Sequence, residues 1–102
     1  MNDEHPELSR LRQEIDKIDR KIIENIAKRR QISAKIGKYK HLNKLSITQK
    51  KREKEVLKER IKDAEKKNIK KKLTRKLFRL IFRDSRKLQK HPSSFDKKPK
   101  NG

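Results

Sequence analysis

The sequence has no cysteine, no tryptophan and only two glycines, and aromatic residues make up 4% of it. Without cysteine the chain can form neither disulfide bonds nor thiolate metal sites, which fits a reducing compartment. No apolar run is long enough to cross a bilayer, and the acidic, polar start MNDEHPELS is unlike a signal peptide. We therefore expect a cytoplasmic protein that does not enter a membrane.

Basic residues are what the sequence has in excess. Lys and Arg number 34 against 14 Asp and Glu, so the formal net charge is +20, and 47% of the residues are charged while 28% are hydrophobic. Such a chain attracts polyanions, and nucleic acid is one candidate partner. However, Lys occurs on all helix faces, and there is no zinc-finger spacing, basic leucine zipper or aromatic RNA-binding strand. We expect the lysines to serve as a solubilising surface, although the charge permits nucleic-acid binding.

The few apolar residues are spaced with the period of an α-helix. In heptads, two seam positions recur along the first part of the chain, one occupied by Leu8, Ile15, Ile22 and Ile36 and the other by Leu11, Ile18, Ile32 and Tyr39. A chain of 102 residues can bury only a modest fraction of its surface by itself. The seam therefore predicts that a second copy of the chain completes the apolar face.

The pattern predicts an all-α protein of three helices. The first covers about residues 6–42, the second about 48–66 and the third about 71–90. Because the long first helix cannot fold back on itself, it needs other helices along its length, and we expect the same helix of a second copy to be its partner. Residues 91–102, HPSSFDKKPKNG, have no periodic face and predict a basic, disordered tail after a domain of residues 1–90.

Polar side chains interrupt the apolar faces of all three helices. Arg29 falls in the seam of the first helix, where a guanidinium is costly unless an anion meets it. Lys40 lies about three turns further along nearly the same side. The second helix adds Gln49, Arg52 and Glu53 at its start, and the third adds Ser85 and Gln89, one turn apart. Each has an ordinary explanation as a solvated charge or surface polar group, but together they gather where the three helices would meet.

This set of residues has no pair suited to proton transfer or covalent catalysis. There is no His near it, no second acid at general acid/base spacing and no nucleophile beside a base. Cations, one carboxylate, one hydroxyl and one amide instead predict a pocket that binds a small dianion.

Four segments, in this order and at these separations, carry a resemblance to a known family: LRQEIDKID, IIENIAKRRQISAKIGKYK, REKEVL and LFRLIFRDSRKLQ. Over about residues 8–90 the chain resembles the all-helical chorismate mutases of the shikimate pathway. The resemblance implies three-helix chains that intertwine as a dimer with two equivalent sites. It also implies the rearrangement of chorismate to prephenate, for phenylalanine and tyrosine biosynthesis, without a cofactor or metal.

The resemblance further implies a role for each site residue. Arg29 binds one substrate carboxylate, and Arg12 of the partner chain binds the other. Lys40 and Gln89 donate hydrogen bonds to the ether oxygen of the breaking bond. The remaining roles are support of the carboxylate network by Arg52, a hydrogen bond from the ring hydroxyl to Glu53, and contact of Ser85 with a substrate carboxylate. The resemblance thus assigns catalysis to Lys40, Gln89, Arg29 and Glu53.

The spacing of the two arginines agrees with a site shared between chains. Arg12 and Arg29 are seventeen residues apart, which leaves them about 100° out of alignment on a straight helix. They do not face one pocket within one chain, which suits Arg12 serving the site of the other subunit.

Two alternatives remain. The isochorismate pyruvate lyases share the fold, the arginines, the lysine and the glutamine, but lack a carboxylate at the place of Glu53, which favours the mutase. The other alternative is a catalytically idle basic dimer that binds nucleic acid or an acidic protein.

Gln49 stands where the mutases often have an acidic residue near the ring hydroxyl, so it departs from the family pattern.

Overall fold

A computed structural model describes residues 5–93 as three α-helices and their connections, with no strand among them. The helices are α1 (Pro6–Leu42), α2 (Lys50–Glu65) and α3 (Lys71–Lys90). The predicted all-α class is confirmed, and α1 and α3 have the predicted bounds. The predicted tail at residues 91–102 lies almost wholly outside the described residues.

The second helix is shorter at both ends than the predicted 48–66. Gln49 is the N-cap residue, with φ of −121° and ψ of 81°, and its carbonyl accepts an N–H of the first turn at 3.0 Å. Beyond the last turn, Asn68 has φ of 61°, in the left-handed region that Asn tolerates better than most residues. The N–H of Ile69 bonds back to the carbonyl of Ala64 at 2.9 Å. This reversal of the backbone ends α2 and turns the chain towards α3.

The three helices form a single layer. Arg30 bonds Asp84 and, further along, His41 contacts Gln89, so α1 and α3 run parallel to each other. The connection at residues 66–70 reverses the chain, so α2 lies antiparallel against α3. The molecule extends over 60 × 38 × 15 Å, which in its thinnest direction is little more than one helix with its side chains.

The core is small and lies around α3. Its buried apolar residues are Ala34, Ile61, Phe82 and Leu88. Three polar residues are also buried, namely Ser33, Thr74 and Ser85. Helix α3 packs against both other helices, whereas α1 and α2 make no packing contact with each other within residues 5–93. A gap is therefore left between α1 and α2, with α3 as its floor.

Most of α1 has nothing packed against it in the single chain. Every residue from 10 to 28 is exposed, and the apolar seam is exposed with them: Ile15 and Ile18 each keep 57% of their surface in solvent. The side-chain hydrogen bonds between α1 and α3 lie from Arg29 onward. None of the three helices combines the length and the hydropathy that crossing a bilayer requires.

Candidate substrate-binding site

A cavity of about 290 Å³ occupies the gap between the second half of α1, the start of α2 and the end of α3. Its apolar lining consists of Ile32, Ile36, Ile47, Val56 and Phe82. Its charged lining consists of the four cations Arg29, Lys40, Arg52 and Arg86 and the single carboxylate Glu53. Such a space, apolar in its walls and positive in sum, suits a small organic anion.

Arg29 is held in the wall of this cavity by contacts from α3. Its Nη1 donates a hydrogen bond to the hydroxyl of Ser85, which in turn donates to the carbonyl of Ile81 at 3.0 Å. The guanidinium carbon lies 5.9 Å from the ring centre of Phe82, a cation–π distance. These contacts fix the guanidinium and leave further N–H groups of its fork for a ligand.

The charge of Arg29 is not fully compensated by the protein. Burial lowers the pKa of the Arg29 guanidinium, the positive charge of Arg60 lowers it further, and Asp84 acts in the opposite direction. A cation that has lost water without gaining a close carboxylate is disfavoured where it stands. An anionic ligand that bound here would relieve that penalty.

Lys40 and Gln89 form a pair of donors at one end of the cavity. The Lys40 Nζ donates to Gln89 Oε1 at 2.7 Å and to the carbonyl of Ile47 at 3.0 Å. Because an ammonium group can only donate, the Gln89 amide must present its oxygen to Lys40 and its NH₂ elsewhere. One N–H of Lys40 and the NH₂ of Gln89 are therefore the donors that this pair can offer to a ligand.

Gly37 allows this pair to form. A Cβ at this position would lie 2.6 Å from the Cα and 2.7 Å from the carbonyl oxygen of Gln89, so only glycine lets α1 and α3 approach this closely. His41, one turn further along α1, contacts the same Gln89 carbonyl at 3.0 Å. Sequence reasoning did not identify this role of Gly37, because the partner backbone is 52 residues away in the sequence.

Glu53 is held from α3 by Arg86. The Arg86 Nη1 donates to Glu53 Oε1 at 2.5 Å, and both side chains are about a third exposed, at 34% and 28%. Sequence reasoning did not identify Arg86. Its position between Ser85 and Gln89 on the same helix was the only available signal, and it becomes informative once α2 is placed beside α3.

The structure brings together all but one of the residues predicted for the site. Those that line the cavity are Arg29, Lys40, Gln49, Arg52, Glu53, Ser85 and Gln89. Arg12 is not among the lining residues, because it lies seventeen residues before Arg29 on the same helix, or about 25 Å away along the axis. Among residues 5–93, no group of three His, Asp or Glu side chains is placed to hold a metal ion.

The fold and the cavity define a class: a small all-helical protein with a cation-lined pocket between its helices. The profile of the chorismate mutase type II family matches residues 11–90, which is most of the chain and includes every helix residue that lines the cavity. The chain belongs to this family, whose activity is that of an isomerase. No curated protein and no solved structure matches the chain significantly.

Proposed function

We propose that this protein is a chorismate mutase that converts chorismate to prephenate in a site shared between two chains. The observation that carries the proposal is the Lys40–Gln89 pair, 2.7 Å apart inside a cavity of the size of a small metabolite. Membership of the chorismate mutase type II family supports the same reaction.

The reaction needs hydrogen-bond donors directed at one substrate atom, the ether oxygen. In a Claisen rearrangement the carbon–oxygen bond lengthens while a carbon–carbon bond forms, and negative charge builds on the ether oxygen. Lys40 supplies a cationic N–H and Gln89 a neutral one, and both are fixed in advance by their mutual bond. Fixed donors stabilise charge that develops in the transition state more than they stabilise the ground state.

The reaction also needs the substrate to be folded. Chorismate carries two carboxylates, and its enol carbon must lie over the ring before the new bond can form. Arg29, backed by Ser85, is our candidate for one carboxylate, because its fork can form two parallel hydrogen bonds. Arg52 supports the same network from α2. Holding both ends of the substrate reduces the entropy that the reaction has to lose.

No protein group has to exchange a proton in this scheme. The rearrangement moves electron pairs within one molecule, so neither a base nor a nucleophile is required. This agrees with a cavity whose titratable lining is four cations and one carboxylate.

The second carboxylate is the task that we assign to Arg12 of a partner chain. In the single chain Arg12 is remote from the cavity, and the α1 seam that carries it is exposed from Leu8 to Ile26. A core of four buried apolar residues is too small to hold a domain of this length together. Burying the seven exposed apolar residues of that segment against a partner chain would stabilise the dimer by on the order of 10 kcal/mol, before the cost of association is subtracted. A symmetric partner has the required surface, which is the same seam.

Glu53 favours the mutase over an isochorismate pyruvate lyase. It places a carboxylate in the cavity, where a ring hydroxyl can donate to it. Gln49 also lines the cavity and brings an amide to it.

The test is turnover by the purified chain. Incubation with chorismate should consume it and yield prephenate, while incubation with isochorismate should yield no pyruvate or salicylate. Loss of isochorismate with release of pyruvate would reassign the protein to the lyases. Turnover of neither substrate, together with steeply salt-dependent binding to duplex DNA, would replace the proposal with a nucleic-acid-binding dimer.

A further inference from the structure

Glu53 is the single carboxylate among the residues that line the cavity, and it stands among four cations. A carboxylate in such surroundings has several possible partners, and each would turn it in a different direction. Its observed partner is Arg86, which donates to Oε1 at 2.5 Å. A carboxylate has a second oxygen with lone pairs of its own, so this bond does not prevent Glu53 from accepting another.

Arg86 ties Glu53 to the helix that carries the other site groups. Since α1 and α2 do not pack against each other within residues 5–93, the position of Glu53 relative to Lys40 depends on α3. Arg86 lies one residue after Ser85 and three before Gln89. The Arg86–Glu53 bond therefore fixes the carboxylate to the same turns of α3 that hold Arg29 and Lys40.

The pair also settles which cations remain for a dianion. Arg86 and Glu53 together carry no net charge, which leaves Arg29, Lys40 and Arg52 as the uncompensated cations of the lining. Without Arg86, the Glu53 carboxylate would turn to one of those three and take it from the substrate. It would also repel the two substrate carboxylates at short range.

We propose that Arg86 is a positioning residue: it holds Glu53 so that the second carboxylate oxygen can accept the substrate's ring hydroxyl, and it keeps Glu53 away from the substrate-binding cations. The proposal rests on the mutase function proposed above. Arg86 acts through Glu53, so its effect should disappear when Glu53 can no longer act.

The test is a double-mutant cycle on chorismate turnover with Arg86→Gln, Glu53→Gln and the double variant. Arg86→Gln should raise KM about tenfold and lower kcat by a smaller factor, because the groups that bind the ether oxygen remain in place. Arg86→Lys, which keeps the charge but not the planar fork, should recover part of the loss. In the Glu53→Gln background, Arg86→Gln should change KM by less than about twofold.

Arg83→Gln is the matched control, because it removes the same charge from the same helix at an exposed residue that does not line the site cavity. It should leave both constants near those of the unmodified protein. If Arg86→Gln behaves like Arg83→Gln, or if its effect persists in full beside Glu53→Gln, the positioning role is wrong while the mutase function stands. A lower melting temperature with equal losses in both backgrounds would make Arg86 a purely structural residue. Absence of turnover in the unmodified protein would instead remove the proposed function itself.

Discussion

Lys40 is the residue on which the proposed chemistry depends most. Two of its N–H groups are used within the chain, on Gln89 and on the carbonyl of Ile47, at 2.7 and 3.0 Å. The third N–H is the one that a substrate can use. The protein thus holds the ammonium group rigidly and leaves one donor direction for the ether oxygen.

Replacing the two donors should separate binding from catalysis. We expect Lys40→Ala and Gln89→Ala to lower kcat by about a hundredfold or more, with a much smaller change in KM, because their bonds to the ether oxygen strengthen as charge develops there. Steady-state kinetics with chorismate measures both constants. Lys90→Ala, an exposed neighbour of Gln89, is the control and should be nearly silent. Equal losses in kcat and affinity for substrate would argue against a role specific to the transition state.

Arg29 should be costly for stability and essential for function. Its pKa is lowered in the folded chain, chiefly by burial, so the folded state binds this proton less tightly than the unfolded state does. The free energy of unfolding therefore increases only as the pH rises through the pKa that Arg29 has in the folded state, which lies far above neutrality. At neutral pH Arg29 is charged in both the folded and the unfolded state, so the cost of burying its charge is fully present.

Because Arg29 is only half-buried and solvent screens its charge, Arg29→Met should leave the free energy of unfolding unchanged or raise it by less than about 1 kcal/mol, while turnover is lost. Chemical denaturation at neutral pH measures the first and the chorismate assay the second. Arg30→Met is the control, because Arg30 is exposed and pairs with Asp84 at 3.0 Å outside the cavity. It should retain activity. A clear loss of stability in Arg29→Met would mean that the contacts with Ser85 and Phe82 outweigh the burial of charge.

At the scale of the helices, Gly37 sets how closely α1 and α3 pack. Gly37→Ala adds a methyl group 2.6 Å from the Gln89 Cα, and the obstacle is backbone, which cannot rotate away. Better helix propensity contributes about 1 kcal/mol, and overpacking costs about 1–3 kcal/mol. The net expectation is a lower melting temperature and a large loss of kcat, since Gln89 has to move.

The control for this substitution is Lys35→Ala, at an exposed position two residues earlier on the same helix. Thermal unfolding should show little change for it. A Gly37→Ala protein with unchanged kcat would show that the close approach of α1 and α3 does not position Gln89.

The sequence was sufficient to predict what depends on spacing within one helix. The bounds of α1 and α3 follow from apolar periodicity, and Arg29 and Lys40 share a side because eleven residues make about three turns. Arg86 and Gly37 could not be identified in this way. Their roles come from the packing of α2 and α1 on α3. Arg86 and its partner Glu53 are 33 positions apart in the sequence, and Gly37 and Gln89 are 52 apart, so no periodic signal connects them. The start of α2 lies two residues after the predicted one, with Gln49 as the N-cap residue, although Thr48 is of a residue type preferred at that position.

At the scale of the whole molecule, we propose that the thin layer of three helices is one subunit of a dimer. The apolar seam of α1 is exposed, and its length matches that of another α1. We expect Ile15→Glu combined with Ile22→Glu to abolish the dimer and, with it, activity, because four new charges would face each other across the interface. Sedimentation equilibrium measures the mass, and Gln13→Glu, a change of one charge at an exposed position of the same helix, should remain dimeric. An unmodified protein of monomer mass that still turns over chorismate would contradict the shared site.

The most direct measurement combines the two chains of the proposed site. Arg12→Ala and Arg29→Ala homodimers should each be nearly inactive, because each lacks one carboxylate-binding arginine in both sites. A heterodimer of the two, co-expressed with different affinity tags and purified through both, has one site with Arg29 from one chain and Arg12 from the other. We expect this heterodimer to turn over chorismate at about half the rate of the unmodified dimer. A heterodimer as inactive as its parents would show that no site combines Arg29 of one chain with Arg12 of the other.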